Sequence, residues 1–209
     1  RQRQMCIRDR TSSIYGNSGD KEMVEDLDEK INPPSIYAST KLSGETLAKT
    51  ILSSHDTNLI ITRFFTVYGP YGRPDMSILR FIHWIMENKE VIIFGDGEQR
   101  RSFTYIDDVV ELLLKVQNCD SSETFNVGNN KTSSLNEVIK IIENFSNKEA
   151  QVNNQPRAFR DPDVVLPSLS KSKQILNWEP STNIEDGIKS TIEWYSSFQD
   201  KIKDYTYIE

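Results

Sequence analysis

The chain has 209 residues, of which 36% are hydrophobic, and its formal net charge is −6. This composition predicts a globular protein with a full core, and the negative charge argues against nucleic-acid binding. No run approaches the roughly 20 apolar residues that cross a bilayer, and no signal-peptide pattern is visible. Cys6 and Cys119 show neither metal-ligand spacing nor a disulfide framework. We therefore expect a cytoplasmic protein without a metal site or a membrane partner.

Residues 1–10, RQRQMCIRDR, differ in character from the rest of the chain, because four arginines interrupt them. A buried parallel strand needs a nearly continuous apolar run. We interpret this segment as foreign sequence, such as translated adapter or vector, and exclude it from the fold. A native basic arm is the alternative.

From residue 11 onward, strand and helix patterns succeed one another. Residues 17–35 are polar and acidic and end in Pro33-Pro34, which predicts a surface loop. Apolar spacing predicts helices over 37–54 and 77–88, and apolar runs predict strands over 59–64, 91–94, 102–106 and 124–127. Ser134 and Thr182 each begin a Ser/Thr-x-x-Glu capping box, so each should open a helix.

Tyr37 and Lys41 are the strongest candidates for chemistry. They are four residues apart at a helix start, so both side chains leave the same face one turn apart. A nearby ammonium favours the phenolate form of a tyrosine. The spacing therefore suits a tyrosine that takes a proton from a hydroxyl, although Tyr-x-x-x-Lys also occurs by chance on amphipathic helices.

Two further segments accompany that pair: TSSIYG at 11–16 and RFFTVYGP at 63–70. With Tyr37-x-x-x-Lys41 between them, they resemble the extended short-chain dehydrogenase/reductase family. Within that family they are most similar to the NAD-dependent nucleotide-sugar 4-epimerases and dehydratases. The segment GPYGRPDM at 69–76 is similar to the UDP-glucuronate 4-epimerases in particular.

The resemblance implies an α/β fold: the C-terminal part of a Rossmann-type doubly wound sheet, then a smaller mixed α/β substrate domain. The first would occupy residues 11–66 and the second 67–198, with a strand able to return to the Rossmann sheet, and a tail would occupy 199–209. A dinucleotide site also needs a Gly-rich turn, and the nine glycines form none. We therefore expect an N-terminally truncated chain that is inactive by itself.

The resemblance also assigns the reacting residues. Tyr37 would accept the proton of the sugar hydroxyl, assisted by Thr11, and Tyr37, Lys41 and Phe64 would contact NAD. Dehydratase relatives carry Asp-Glu after the threonine, and decarboxylating relatives commonly carry Glu at the position of Ser13. Ser12 and Ser13 offer no carboxylate for elimination, which favours an epimerase.

The remaining assignments concern the substrate. Thr66 would face the sugar, and Arg73 would pair with a C6 carboxylate, for which a guanidinium is well shaped; a solvated loop arginine is the alternative. Arg101 and Arg160 would contact the UDP diphosphate, and Phe94 would lie near the uracil. In the family, Gly usually stands where this chain has Pro162.

Together these assignments imply NAD-dependent C4 epimerisation of a UDP-sugar through a 4-keto sugar, with UDP-glucuronate to UDP-galacturonate as the main hypothesis. A UDP-glucose or UDP-N-acetylglucosamine 4-epimerase is one alternative. A non-catalytic nucleotide-sugar-binding protein is another. Because relatives commonly dimerise through the Tyr37 helix, we expect a homodimer, by analogy alone.

Overall fold

The computed structural model describes residues 5–16, 21–26, 33–157 and 162–202. The helices within them are α1 (Ile36–Leu52), α2 (Ser77–Met86), α3 (Ile106–Val116), α4 (Leu135–Ser146), α5 (Ser170–Leu176) and α6 (Ile184–Ile202). The strands are β1 (Met5–Thr11), β2 (Asn58–Phe64), β3 (Thr66–Tyr68), β4 (Glu90–Phe94), β5 (Arg100–Arg101), β6 (Phe103–Tyr105), β7 (Glu123–Val127), β8 (Ser133–Ser134), β9 (Gln151–Gln155) and β10 (Val164–Val165). A 3-10 turn spans Ser12–Tyr15.

The first sheet is parallel, with strand order β1-β2-β7. β2 lies in the middle, and its five inner residues are buried. This burial explains the β-branched, apolar run that predicted the strand. β7 joins this sheet although it comes after β3 to β6 in the chain, while the domain boundary at 66/67 stays a prediction.

The exclusion of residues 5–10 from the fold is corrected by β1. These residues continue into Thr11 and pair with β2 in parallel register, from Met5 opposite Asn58 to Thr11 opposite Phe64. Backbone N–H and C=O groups make this ladder whatever the side chains are, so the arginines do not prevent it. The foreign origin of the segment stays a prediction.

The later part of the chain forms smaller sheets around a second core. β3 pairs with β6 and β4 with β9, both in parallel, and β5 lies between β10 and β8. The buried core residues of this part include Ile78, Phe81, Ile82, Ile85, Ile93, Val138, Ile142, Ile188 and Tyr195. They come mainly from α2, α4 and α6, whose apolar faces therefore pack together. None of the described helices is long and apolar enough to span a membrane.

The two predicted capping boxes have different outcomes. Ser134 Oγ accepts from the N–H of Glu137, and Glu137 accepts in return from the N–H of Ser134, as predicted. The last helix begins later than predicted, at Ile184, where Asn183 Oδ1 accepts from the N–H of Asp186 at 2.8 Å. The N–H of Thr182 instead donates to the buried carboxylate of Asp108 at 3.2 Å.

Candidate active site

The carboxyl ends of β1, β2 and β7 meet at one edge of the parallel sheet. Thr11 is opposite Phe64, and Phe64 is opposite Val127. Thr66 begins β3 just beyond the end of β2. Ligands of open α/β sheets bind at this kind of edge. The structure therefore brings three of the predicted site residues, Thr11, Phe64 and Thr66, to the carboxyl edge of the sheet.

Thr11 also begins the 3-10 turn. Its Oγ1 accepts from the N–H of Ser13 at 3.2 Å and lies 3.0 Å from Ser13 Oγ, to which it donates. The turn thus presents a local chain of hydroxyls at the strand end. Ser12 is partly buried and Ser13 is exposed.

Helix α1 presents Tyr37 and Lys41 on one face, as their spacing predicts. Ser35 caps the helix, since its Oγ accepts from the N–H of Ala38 at 3.1 Å. Tyr37 is 54% exposed, and Lys41 Nζ lies 5.6 Å from the centroid of its ring. The phenol and the ammonium are therefore adjacent and accessible to a ligand.

Arg73 lies on the loop between β3 and α2. That loop starts at Gly69, whose φ is +143° and where an added Cβ would lie 2.6 Å from Ile106, so only glycine fits. Arg73 is exposed and forks onto Asp75, with Nε–Oδ1 at 3.0 Å. The hydrogen bond to Asp75 raises the pKa of Arg73. The guanidinium therefore holds a carboxylate at the surface of the loop.

A second group of candidate residues surrounds β4 and β5. Phe94 ends β4 and is 51% exposed. Arg101 Nη1 donates to the carbonyls of Arg100 at 2.9 Å and Asp163 at 3.4 Å. Arg160 lies outside the described residues, so its role at the diphosphate stays a prediction.

Arg157 is a residue of this second group that the sequence analysis missed. Its guanidinium donates to Asp163 Oδ1 at 2.9 Å and to Gln99 Oε1 at 3.1 Å. It packs over Gly95, where an added Cβ would lie 2.4 Å from its Nε. The only sequence signal was its position three residues before Arg160, in the stretch proposed to hold a diphosphate.

A buried ion pair joins the Tyr37 helix to β2, and no motif in the sequence indicates it. Arg63 binds Glu45 in a two-pronged fashion, with Nε–Oε1 at 3.1 Å and Nη2–Oε2 at 2.8 Å, and both side chains are at most 2% exposed. Arg63 Nη1 also donates to Tyr15 Oη at 2.9 Å and to the carbonyl of Glu25 at 2.8 Å. Tyr15 donates in turn to Asn126 Oδ1 at 2.6 Å. We call Arg63, Glu45, Tyr15, Glu25 and Asn126 the Arg63 network.

Comparison with known proteins identifies the family. The sequence model described as "NAD dependent epimerase/dehydratase family" matches residues 7–128, which is more than half of the chain. The chain belongs to this family. The family assignment agrees with the α/β fold and with the motifs at Thr11, Tyr37 and Arg63.

Individual relatives support the family assignment. The chain is 42% identical over 186 residues to a UDP-glucuronate 4-epimerase of Thermodesulfobacterium geofontis, covering 88% of this chain and 57% of the relative. The crystal structure of the UDP-glucuronic acid 4-epimerase from Bacillus cereus, in complex with UDP-glucuronic acid and NAD, has a TM-score of 0.86 at 33% identity, covering 93% of this chain and 62% of that one. A UDP-glucose 4-epimerase from Thermotoga maritima with UDP-glucose has a TM-score of 0.87 at 26% identity, covering 94% and 64%. The chain therefore spans less than two thirds of the length of these family members.

The described residues fit one end of a dinucleotide. An exposed phenol and a partly exposed ammonium stand together on α1, and Phe64 and the hydroxyls of the Thr11 turn lie at the carboxyl edge of a parallel sheet. These groups suit a ribose and a flat ring. The pyrophosphate end needs a Gly-rich turn, which residues 1–209 do not contain.

Proposed function

We propose that the complete protein carrying this chain is an NAD-dependent 4-epimerase of a UDP-sugar, and that UDP-glucuronate is its substrate. The observation that carries this proposal is the accessible Tyr37–Lys41 pair on α1. Arg73, on the loop between β3 and α2, adds an exposed guanidinium that holds a carboxylate. The turn after Thr11 adds hydroxyls and no carboxylate. This set of groups can move a hydroxyl proton and neutralise an acidic sugar, but it offers no acid–base pair to eliminate water.

In the proposed reaction, Tyr37 takes the proton of the C4 hydroxyl as that carbon is oxidised to a ketone. Lys41 stabilises the phenolate form of Tyr37, which accepts this proton and becomes a neutral phenol, and Thr11 donates a hydrogen bond to the sugar oxygen or relays its proton. NAD, when bound, supplies the acceptor and donor of the C4 hydride. Tyr37 and Lys41 would hold its nicotinamide ribose, and Phe64 would lie near the ring. Return of the proton from Tyr37 after the sugar has turned completes the exchange of configuration.

For the substrate, we propose that Ser12, Ser13 and Thr66 contact the sugar and that Arg73 binds the C6 carboxylate. The fork of Arg73 now holds Asp75, which shows that it accepts a carboxylate with two parallel hydrogen bonds. An ion pair this exposed contributes little stability, so a substrate carboxylate can replace Asp75 at small cost. Arg101 and Arg160 would bind the diphosphate, with Arg157 beside them, and Phe94 would pack near the uracil.

Substrate choice tests the role of Arg73. The complete protein should epimerise UDP-glucuronate, and Arg73→Ala should raise the KM for UDP-glucuronate about ten- to hundredfold, because a charged hydrogen-bonded pair is lost. The KM for any UDP-glucose turnover should not change. Steady-state kinetics on both nucleotide sugars measure this, with Lys140→Ala, an exposed lysine of α4, as a control that removes a remote cation.

The same kinetics distinguish the alternatives. Turnover of UDP-glucose or UDP-N-acetylglucosamine without turnover of UDP-glucuronate would favour the neutral-sugar epimerase. The Thermotoga maritima structural relative gives this alternative its support. Binding of UDP-sugars with no turnover of any of them would favour the non-catalytic binding protein.

We also propose that the protein is a cytoplasmic homodimer that uses the exposed face of α1. Ile36, Leu47 and Ile51 on this helix are 85%, 61% and 60% exposed. Hydroxyls between them already bond to carbonyls of their own helix, as Ser43 Oγ does to Ser39 O at 2.9 Å. Burying this face would therefore leave few polar groups unsatisfied.

The dimer is tested by placing a charge on this face. Leu47→Glu should convert the protein to a monomer in light scattering, because a buried carboxylate would face its own copy across a two-fold axis. Leu114→Glu on α3, where the leucine is 58% exposed, is the matched control and should leave the mass unchanged. A monomeric mass for the unmodified protein would contradict the proposal.

A further inference from the structure

The Arg63 network connects three elements that each carry a proposed site residue. Glu45 lies on α1, one helical turn after Lys41 and about two turns after Tyr37. Tyr15 ends the 3-10 turn that Thr11 begins. Arg63 itself directly precedes Phe64 at the end of β2. One guanidinium therefore touches the helix, the turn and the strand on which the proposed chemistry depends.

The geometry of Arg63 leaves it little freedom. Its Nε, Nη1 and Nη2 atoms together donate to four acceptors on three different residues. A planar guanidinium holding a carboxylate with two parallel bonds fixes the orientation as well as the distance of its partner. A shift of α1 relative to the Thr11 turn would have to break several of these buried bonds together.

Tyr15 and Arg63 make hydrogen bonds that depend on their protonation state. Burial raises the pKa of Tyr15 to about 12, so its phenol stays protonated and goes on donating to Asn126. Burial alone would lower the pKa of Arg63, but its hydrogen bonds with Glu45 and Tyr15 raise it instead. Arg63 thus remains a cation, and it engages both oxygens of the Glu45 carboxylate. The Glu45 carboxylate lies one helical turn after Lys41. Without Arg63, it would compete for the Lys41 ammonium.

The network continues to β7, the strand next to β2 in this sheet. The N–H of Asn126 donates to Glu25 Oε1 at 2.9 Å, and its amide donates to the carbonyls of Met23 at 2.8 Å and Ser168 at 3.3 Å. The backbone of Met23 bonds in turn to Leu166 and Ser168, both at 2.8 Å. The segment after β10 is therefore fastened to the same buried group.

We propose that the Arg63–Glu45 pair, extended through Tyr15, positions the Tyr37–Lys41 helix against the Thr11 turn. This proposal rests on the proposed epimerase function. A buried ion pair is rarely more stable than well-packed apolar residues of the same size, so stability alone gives no reason for its presence. The proposed chemistry does give a reason for the ion pair, because a misplacement of about 1 Å between Tyr37 and Thr11 can cost about a hundredfold in rate.

The test separates positioning from stability. Arg63→Met/Glu45→Leu removes both charges of the ion pair together. Tyr15→Phe removes only the two hydrogen bonds of the turn, one from Arg63 and one to Asn126. We expect kcat for the UDP-sugar to fall about ten- to hundredfold in the double variant and about tenfold in Tyr15→Phe. The KM should stay within about threefold, and amide exchange at residues 12–16 should become faster in both variants. Tyr195→Phe is the control, because it breaks a buried 2.8 Å bond to His83 away from α1 and the turn.

The outcomes are distinct. If kcat in both variants equals that of Tyr195→Phe, or if amide exchange in the turn is unchanged, the positioning proposal is wrong. If the double variant does not fold, Tyr15→Phe alone decides by the same two measurements. If the unmodified protein turns over no UDP-sugar, the proposed function fails and positioning for that reaction fails with it. Amide exchange in Tyr15→Phe would then still show whether Arg63 joins the turn to the helix.

Discussion

Tyr37→Phe is expected to lower kcat for the UDP-sugar by about 10²- to 10⁴-fold, the usual contribution of a positioned acid–base group. The variant keeps the ring beside Lys41 and loses only the oxygen that accepts the proton of the C4 hydroxyl. The ring is 54% exposed, so the free energy of unfolding should change little. The KM should also change little, because the proposed diphosphate and carboxylate contacts are untouched. Steady-state kinetics on the complete protein with NAD measure the effect.

Tyr71→Phe is the matched control, because it removes the hydroxyl of another exposed tyrosine while keeping the ring that packs against Trp194 at 5.1 Å. It should retain normal kcat. Equal activity of the Tyr37→Phe variant and the unmodified protein would rule out Tyr37 as the proton acceptor.

The second large effect is on stability. Arg63→Met should lower the free energy of unfolding by about 3–5 kcal/mol, because it leaves the Glu45 carboxylate buried without its partner. Arg63→Met/Glu45→Leu should recover most of this loss, since the Glu45 carboxylate is removed together with its partner. Urea unfolding of the two variants and the unmodified protein measures the difference.

An exposed ion pair gives the comparison. Lys173 and Glu179 are 2.9 Å apart, with side chains 63% and 45% exposed. Lys173→Met should therefore cost at most about 1 kcal/mol. A similarly small loss in Arg63→Met would contradict the buried, fully paired state of Arg63.

Local signals in the sequence were enough to predict much of the fold. β2, β4 and β7 are short apolar runs, and their backbones form strands where predicted. Tyr37 and Lys41 share a face because the helical period alone determines it. The side-chain pattern of β1 predicts no buried strand, whereas the pairing of β1 with β2 is made by the backbone.

The residues that the sequence did not reveal depend on contacts between distant segments. Arg63 and Glu45 are 18 positions apart, and Tyr15 is 48 positions from Arg63. An arginine in an apolar strand and a glutamate on a helix give no local sign that they are buried together. The position of the Arg157 side chain likewise depends on a distant residue, Gly95, over which it packs. These contacts are set by tertiary packing, which periodicity and turn residues do not encode.

The most direct test of the proposed chemistry is to run the reaction in D₂O and locate deuterium in the products by NMR. The complete protein is incubated with NAD and UDP-glucuronate until both 4-epimers are present. If Tyr37 moves only the hydroxyl proton, the hydrogen on C4 never exchanges with solvent, and neither epimer carries deuterium at C4. Deuterium at C4, or no epimer at all, would contradict C4 epimerisation through Tyr37.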